Sequence, residues 1–421
     1  MKAFFASLTT ERGRRVAPAM LFAGLSAGFL FGGYEFIRSS AESIFIGRFG
    51  ADAKPYAMSC VPFLMALLIY LYGRLLSAVG GKKAMAVSML ASSAFFLLAF
   101  LGLRAGAGGP LIFLLYVFKE SYVVVIAEQY WSFINSTLRE EEGRAYNGPV
   151  AGVGAIGPLT AGWLVERFAV SLHTDFFVLL SGLAMLPALW LFWLAYSRAG
   201  EPEPAPEEAH GRKGHLHLSI LKENRTVLCI ALVVFATQVV ATMLELRFAQ
   251  LAQAAFPGLD QRTAFFGGFW MKVNMFSFTM QFLLTPLLLR YLPIRRIQTA
   301  IPAVHLVTLG ALLFYPRLFI AALAFLLFKG LDYSLFRASK ETLYIPFSYD
   351  TRYRAKQVAE AFTYRFSKGL TAALVSLARA AGELPAGAYP GTAFLFALGW
   401  MGAAFPMTAA RGASPAGGPR A

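Results

Sequence analysis

Twelve apolar blocks, each about the length that crosses a bilayer, divide this chain almost from end to end. They run over 15–45, 55–72, 84–103, 111–134, 148–165 and 176–196, then 226–246, 264–289, 299–315, 318–345, 358–377 and 391–410. Blocks of this length leave the backbone one way to satisfy its own polar groups in lipid, the helix. The spacing therefore predicts an all-α polytopic membrane protein. Between the sixth and seventh blocks lies SRAGEPEPAPEEAHGRKGHLHLS, rich in Pro, Glu and Ala, which reads as a flexible linker. The expected domains are a six-helix bundle over 1–196, a linker over 197–225 and a second six-helix bundle over 226–421.

The charge distribution sets the orientation. Of the 38 Lys and Arg, 22 fall at the start of the chain through Arg15, in the linker, in every second loop and in the tail. Seven fall in the alternate loops, and nine within the blocks when Arg247 is counted there. Short loops rich in Lys and Arg stay inside. Both termini and the linker are thus expected on the cytoplasmic side of a bacterial inner membrane. This explains the net charge of +15 without nucleic acid as a partner. The first block is as long as a spanning helix and does not read as a cleaved leader.

The halves resemble each other. At an offset of 210 residues Phe118-Lys119 meets Phe328-Lys329, Arg144-Ala145 meets Arg354-Ala355, and Glu35 meets Glu245. The basic pair Lys82-Lys83 after the second block has its counterpart in Arg295-Arg296. A common register with a linker at mid-chain indicates two pseudo-symmetric halves. Parallel repeats of this kind build transporters that rock about a midplane site.

Charge inside the blocks is the main functional signal, because each one at a helix centre costs about 2.5–3.5 kcal/mol. The first block holds Glu35, Arg38 and Glu42, and the fourth Lys119, Glu120 and Glu128. The seventh holds Glu245 and Arg247, and the eighth Lys272. The tenth holds Lys329, Asp332, Arg337, Lys340 and Glu341, and the eleventh Arg365 and Lys368. Blocks one, four, seven and ten are equivalent positions of a duplicated fold and the expected lining of a central cavity. Arg38 with Glu42, and Arg337 with Glu341, share faces at i,i+4 and would pair within a helix. Such structural pairs and snorkelling ends are the alternative to a substrate role. The nine basic groups named outnumber the acidic ones, the seven named and Glu360, and this positive surplus suits an anionic or phosphorylated cargo. Tyr34, Tyr130, Trp131, Trp270, Tyr333 and Tyr344 interleave with the charges, as packing or as a stacking platform. The glycines of the fifth block, Gly148 to Gly162, favour close helix approach.

Catalytic and metal-binding signatures are missing from the sequence. Cys60 and Cys229 both sit in apolar blocks, and His173, His210, His215, His217 and His305 show no ligand spacing. No nucleophile elbow or phosphate loop occurs, so no cofactor is expected.

The stretch RASKETLYIPFSYDTRYRAKQVAEAFTYRFSKGL, Arg337 to Leu370, resembles the nucleotide exchange transporters (ATP/ADP translocases) of plastids and intracellular bacteria and their relatives in free-living bacteria. GYEFIRSSAESIFIGRFGADAKPY, VIAEQYWSF and MLELRFAQLAQAAFPGLDQRTAFFGGFW are similar to that family's first, fourth, and seventh-to-eighth helix regions. The resemblance implies a major-facilitator-like fold of twelve transmembrane helices with alternating access, and carries over Glu128, Glu245 and Lys340 as functional positions. Where that family has a lysine before the acidic residue of its first helix, this chain has Ala41 before Glu42.

The expected site follows. Lys340, Lys329, Arg38 and Lys272 hold the anion, with Lys119 and Arg337 adding charge and Tyr34 and Tyr333 adding rings. Glu128 and Glu245 organise the cations. Buried Glu35, Glu128 or Glu245 would carry protons if the chain is instead a proton-coupled exporter of a drug-like or lipid amphiphile. A non-transporting membrane sensor or an enzyme is the third reading. The expected partners are an anionic small molecule, with nucleotides among the candidates, and the lipid bilayer, with a monomer as the default for this architecture.

Overall fold

The computed structural model describes residues 11–200, 220–345, 358 and 363–409. Most of the linker, residues 346–357 and 359–362, and the tail from 410 lie outside them, with His210, His215, His217, the middle of the Arg337–Leu370 stretch and the side chain of Arg365.

All regular elements among the described residues are helical. In the first half α1 spans Glu11–Phe49, α2 Lys54–Arg104, α3 Gly109–Thr137, α4 Glu140–Leu172 and α5 Thr174–Ala199. The second half begins with a short α6, Ile220–Glu223, then α7 at Arg225–Ala255 and α8 at Leu259–Thr279. A π-turn at Met280–Leu284 joins α8 to α9, Thr285–Tyr291, and α10 follows at Ile294–Phe314. Then come α11 at Leu318–Leu331, a π-turn at Asp332–Phe336 and α12 at Arg337–Glu341. The last two are α13 at Thr363–Ala381 and α14 at Ala388–Ala409.

Local chemistry places the breaks. Gly80, at φ 78°, sits where only glycine is comfortable and turns the chain between the two spans of α2. Pro55, Pro110 and Pro286 stand in the first turns of α2, α3 and α9, where a missing N–H costs nothing. Upstream of Pro286 the helix widens into its π-turn, since the proline ring has no room in a regular α-helical ladder.

Nine helical stretches among the described residues are long and apolar enough to cross a membrane. One of them, Ala51–Arg104, is 54 residues long and holds two of the sequence blocks. The eighth and eleventh blocks lie on α8–α9 and α13, the more polar helices, which carry Lys272 and Lys368. The chain is a multi-pass membrane protein.

Contacts cluster the chain into two compact units. One comprises Met1–Lys213 with Phe256–Asn274, the other Gly214–Ala255 with Met275–Ala421. In the first, α1 packs on α3, α4 and α5, and α2 on α3 and α5. In the second, α7 packs on α11, α13 and α14, and α10 on α11 and α14. The same plan thus recurs in both units, with the first helix of each half at its centre.

Glycine sets how closely α1 and α4 approach. Any Cβ on Gly157 would collide with the backbone of Gly28, and one on Gly32 would lie 3.2 Å from the carbonyl oxygen of Gly157. Near the far end of α4, Val165 and Ala169 pack with Phe177 of α5 and with Phe36 of α1.

Replacing Gly157 by Val should force two backbones apart, a cost beyond the roughly 1–3 kcal/mol of ordinary overpacking. The expected result is loss of folded protein in detergent, read by melting and by size exclusion. Gly152→Ala, at a site where nothing crowds an added Cβ, should melt like the parent protein.

Candidate functional site

Buried charge in the first unit is assembled around Glu42. Its carboxylate takes the ammonium of Lys54, at the start of α2, and lies 3.3 Å from Nζ of Lys119 on α3. Lys119 Nζ also donates to Glu120 Oε1 at 2.7 Å and sits 4.4 Å from the centre of the Tyr116 ring. Lys54 and Lys119 are each only 1% exposed. In a low-dielectric interior carboxylates offset such cations, and among the described residues two carboxylates meet two ammonium groups here. Glu42 is thus held in a buried ion-pair network, the structural alternative to a substrate role.

One turn earlier on α1, Glu35 and Arg38 form a second cluster. Arg38 Nη1 is 3.2 Å from Glu35 Oε1, and its guanidinium lies 3.1 Å from the centre of the Trp270 ring and 5.5 Å from that of Tyr34. Asn274 Nδ2 donates to the same Glu35 oxygen at 3.1 Å. Glu35 Oε2 is buried without a hydrogen-bond partner among the described residues. Trp270 over a planar guanidinium makes a cation–π contact that leaves the charge intact.

Trp270 and Asn274 belong to α8, whose first part is clasped by the first unit at three further points. Arg262, 2% exposed, donates through Nη2 to the Ser43 carbonyl at 2.9 Å and through Nη1 to that of Phe256 at 3.1 Å. Asp260 receives the Thr174 N–H at 2.8 Å, the Thr174 hydroxyl at 2.6 Å and lies 3.0 Å from His173 Nδ1. A Cβ on Gly267 would strike Val165 at 2.5 Å, so the helices meet closely there. Burial opposes ionisation of Asp260, but the hydrogen bonds from Thr174 and His173 outweigh it and hold the carboxyl below its ordinary range.

The second unit treats its equivalent lysine differently. Lys329, at the repeat position of Lys119, is 8% exposed at the end of α11, just before the π-turn. Its Nζ lies 5.6 Å from the ring centres of both Phe325 and Tyr333. Glu245, Tyr364 and Lys368 shape its field. No described carboxylate reaches ion-pair distance of Lys329 Nζ; Glu245 pairs with Lys368 at 3.7 Å. Lys340 is also 8% exposed, 5.1 Å from the centre of the Phe336 ring, beside Ser339, whose hydroxyl accepts from Gln298 Nε2 at 2.8 Å. π-turns recur at functional positions because they re-aim the side chains around them.

The structure therefore brings Tyr34 and Arg38 together in one unit, and Lys329, Tyr333 and Glu245 in the other. Lys119 is engaged by two carboxylates. Lys272 is exposed and lies 3.4 Å from Glu166. Arg337 is exposed, and so is Glu128 on α3, near Tyr72. The spacing paired Arg38 with Glu42; the structure shows Arg38 on Glu35 and Glu42 on Lys54 and Lys119. Sequence reading missed Lys54 and Arg262, which count as loop charges, and Asn274, which carries no charge to attract notice.

No protein-family model matches the sequence, and neither does any curated protein. Solved structures do match in fold. A bacterial homologue of the iron transporter ferroportin in the inward-facing state aligns at TM-score 0.68 and 13% identity, over 94% of this chain and 98% of that one. A point-mutant form of the nucleoside transporter NupG aligns at 0.66 and 11%, over 93% and 99%. A D-xylose-proton symporter aligns at 0.62 and 15%, over 91% and 97%. These likenesses show the fold: all-α and major-facilitator-like, in two pseudo-symmetric halves.

Removing one member of the Glu42 network should expose its cost. Glu42→Gln should lower stability by about 3 kcal/mol, the usual penalty for stranding a buried charge, and the Glu42→Leu/Lys54→Met double change should recover most of it. Melting in detergent measures both. Asp260 makes the pH prediction. Because its folded pKa lies below the unfolded value, its contribution is complete above about pH 4 and fades as pH falls through the folded value. Asp260→Asn should flatten that acid limb of a melting-temperature-against-pH curve while leaving its shape above about pH 6 unchanged.

Proposed function

We propose that this chain is a membrane transporter working by alternating access, and that it carries a nucleotide or another phosphorylated or anionic metabolite. The observation that supports the reading is the contrast between the repeat-related lysines. Lys119 is neutralised by Glu42 and Glu120, whereas Lys329 is buried against aromatic rings with no described carboxylate at ion-pair distance. A buried cation without a matched anion costs several kcal/mol. A phosphate or carboxylate of the cargo supplies that anion through charge-assisted hydrogen bonds, with Lys340 adding charge and Tyr333 a ring for the base or sugar. Lys368 holds Glu245 in place, and Arg38 on Trp270 is the corresponding cationic position of the first unit. The resemblance of Arg337–Leu370 to the nucleotide exchangers supports the same cargo class, with Ala41 setting this chain apart from the ATP/ADP exchangers. The membrane is the bacterial inner membrane, the termini are cytoplasmic, and the working unit is a monomer.

A second reading, proton-coupled export of an amphiphile, draws on the unpartnered Glu35 Oε2.

The deciding measurement is thermal stabilisation of purified protein by ATP, ADP, inorganic phosphate, sugar phosphates and apolar amines. A ligand at about 100 times its dissociation constant adds roughly 2.7 kcal/mol. Stabilisation by a phosphorylated compound, lost in Lys329→Ala and in Lys340→Ala, is the expected outcome. Stabilisation by amines alone, with proteoliposome efflux that stops when the proton gradient is dissipated, would replace this reading with the second.

A further inference from the structure

The second unit contains a cavity that plays no part in the charged cluster. It has a volume of about 230 Å³ and lies among α7, α13 and α14. Phe235, Val239 and Met243 line it from α7. They recur every fourth residue, so this wall runs along the helix axis for about 12 Å at 1.5 Å per residue. Val375 of α13 and Phe396 of α14 face them, with Phe235 and Phe396 in ring contact at 6.0 Å. The walls are apolar along their length; Thr371 and Thr392 bring methyls as well as hydroxyls.

One end of the slot is polar. Tyr389 of α14 lines the cavity and accepts a hydrogen bond from Arg379 Nη1 of α13 at 2.8 Å. Glu383 is exposed and adjoins Leu384, which also lines the cavity. Both charged residues lie in the connection between the eleventh and twelfth blocks, where spanning helices meet the water interface. The slot therefore follows its helices, is apolar inside, and has one cation and one anion next to lining residues at its polar end.

We propose that this slot is a binding site for one acyl chain of an amino-phospholipid, with the headgroup phosphate on Arg379 and the headgroup ammonium on Glu383. The length and the apolar lining suit a hydrocarbon chain, which gains dispersion contacts where it fills a shaped space. The paired charges select the headgroup. Phosphate alone would suit Arg379, but an anionic headgroup without an amine would meet Glu383 as a like charge. The lipid is a bound component of the second unit, separate from the cargo.

The test is native mass spectrometry of the full chain released from nanodiscs of equal parts phosphatidylethanolamine and phosphatidylglycerol. The expected result is one retained phosphatidylethanolamine, favoured several-fold over phosphatidylglycerol. Val239→Phe, which fills the slot, should lose it, and Glu383→Gln should abolish the headgroup preference while keeping a lipid. Because a core change risks misfolding, the half-buried Arg379→Gln variant at the end of the slot serves as the second reading and should reduce retention of both lipids. Lipid adducts without headgroup preference, unchanged in Val239→Phe and in Arg379→Gln, would overturn the proposal. So would displacement of the retained lipid by an apolar amine that the protein also transports, since the slot would then belong to the cargo.

Discussion

A charge carried into a bilayer must find its counter-charge inside the protein, and that requirement orders both units here. α1 lies at the centre of the first unit and α7 at the centre of the second, and these two helices carry the acidic residues to which cations on neighbouring helices turn. Glu42 draws in Lys54 and Lys119; Glu35 draws in Arg38 and Asn274; Glu245 draws in Lys368. Each pairing crosses helices or helical turns, so it fixes rotation and register as well as offsetting charge. Nonspecific apolar packing does neither in lipid, where tails and side chains are equally oily.

Against that background the two units treat one position differently. Lys119 and Lys329 lie 210 residues apart, both following a phenylalanine, yet one sits among carboxylates and the other among rings. In the first unit the charge stabilises structure. In the second the ammonium is buried against rings, with no described carboxylate at ion-pair distance, next to a π-turn that breaks the regular ladder.

Small residues perform the complementary task. Gly157 lets α4 rest on α1 at Gly28, and Gly267 lets α8 rest on α4 at Val165. Close approach brings polar groups within bonding distance, and Arg262, Asp260 and Asn274 use that proximity to clasp the first part of α8 to the first unit. Steric fit and hydrogen bonding act on the same segment, so weakening either loosens both.

Length and hydropathy alone determined the helical architecture: a run of about 20 apolar residues has no other way to close its hydrogen bonds in lipid. The repeat was legible for the same reason, since Phe118-Lys119 and Phe328-Lys329 stand out where charge is expensive. Partner choice was not legible. Sequence spacing joined Arg38 to Glu42, and only the packed helices show Arg38 on Glu35 and Trp270, and Glu42 on Lys54, twelve positions away. Lys54 reads as a loop charge and Asn274 as an ordinary amide until tertiary contacts engage them. Periodicity fixes which residues lie in the membrane, whereas helix rotation and crossing, set by glycine contacts distant in sequence, decide which charges meet.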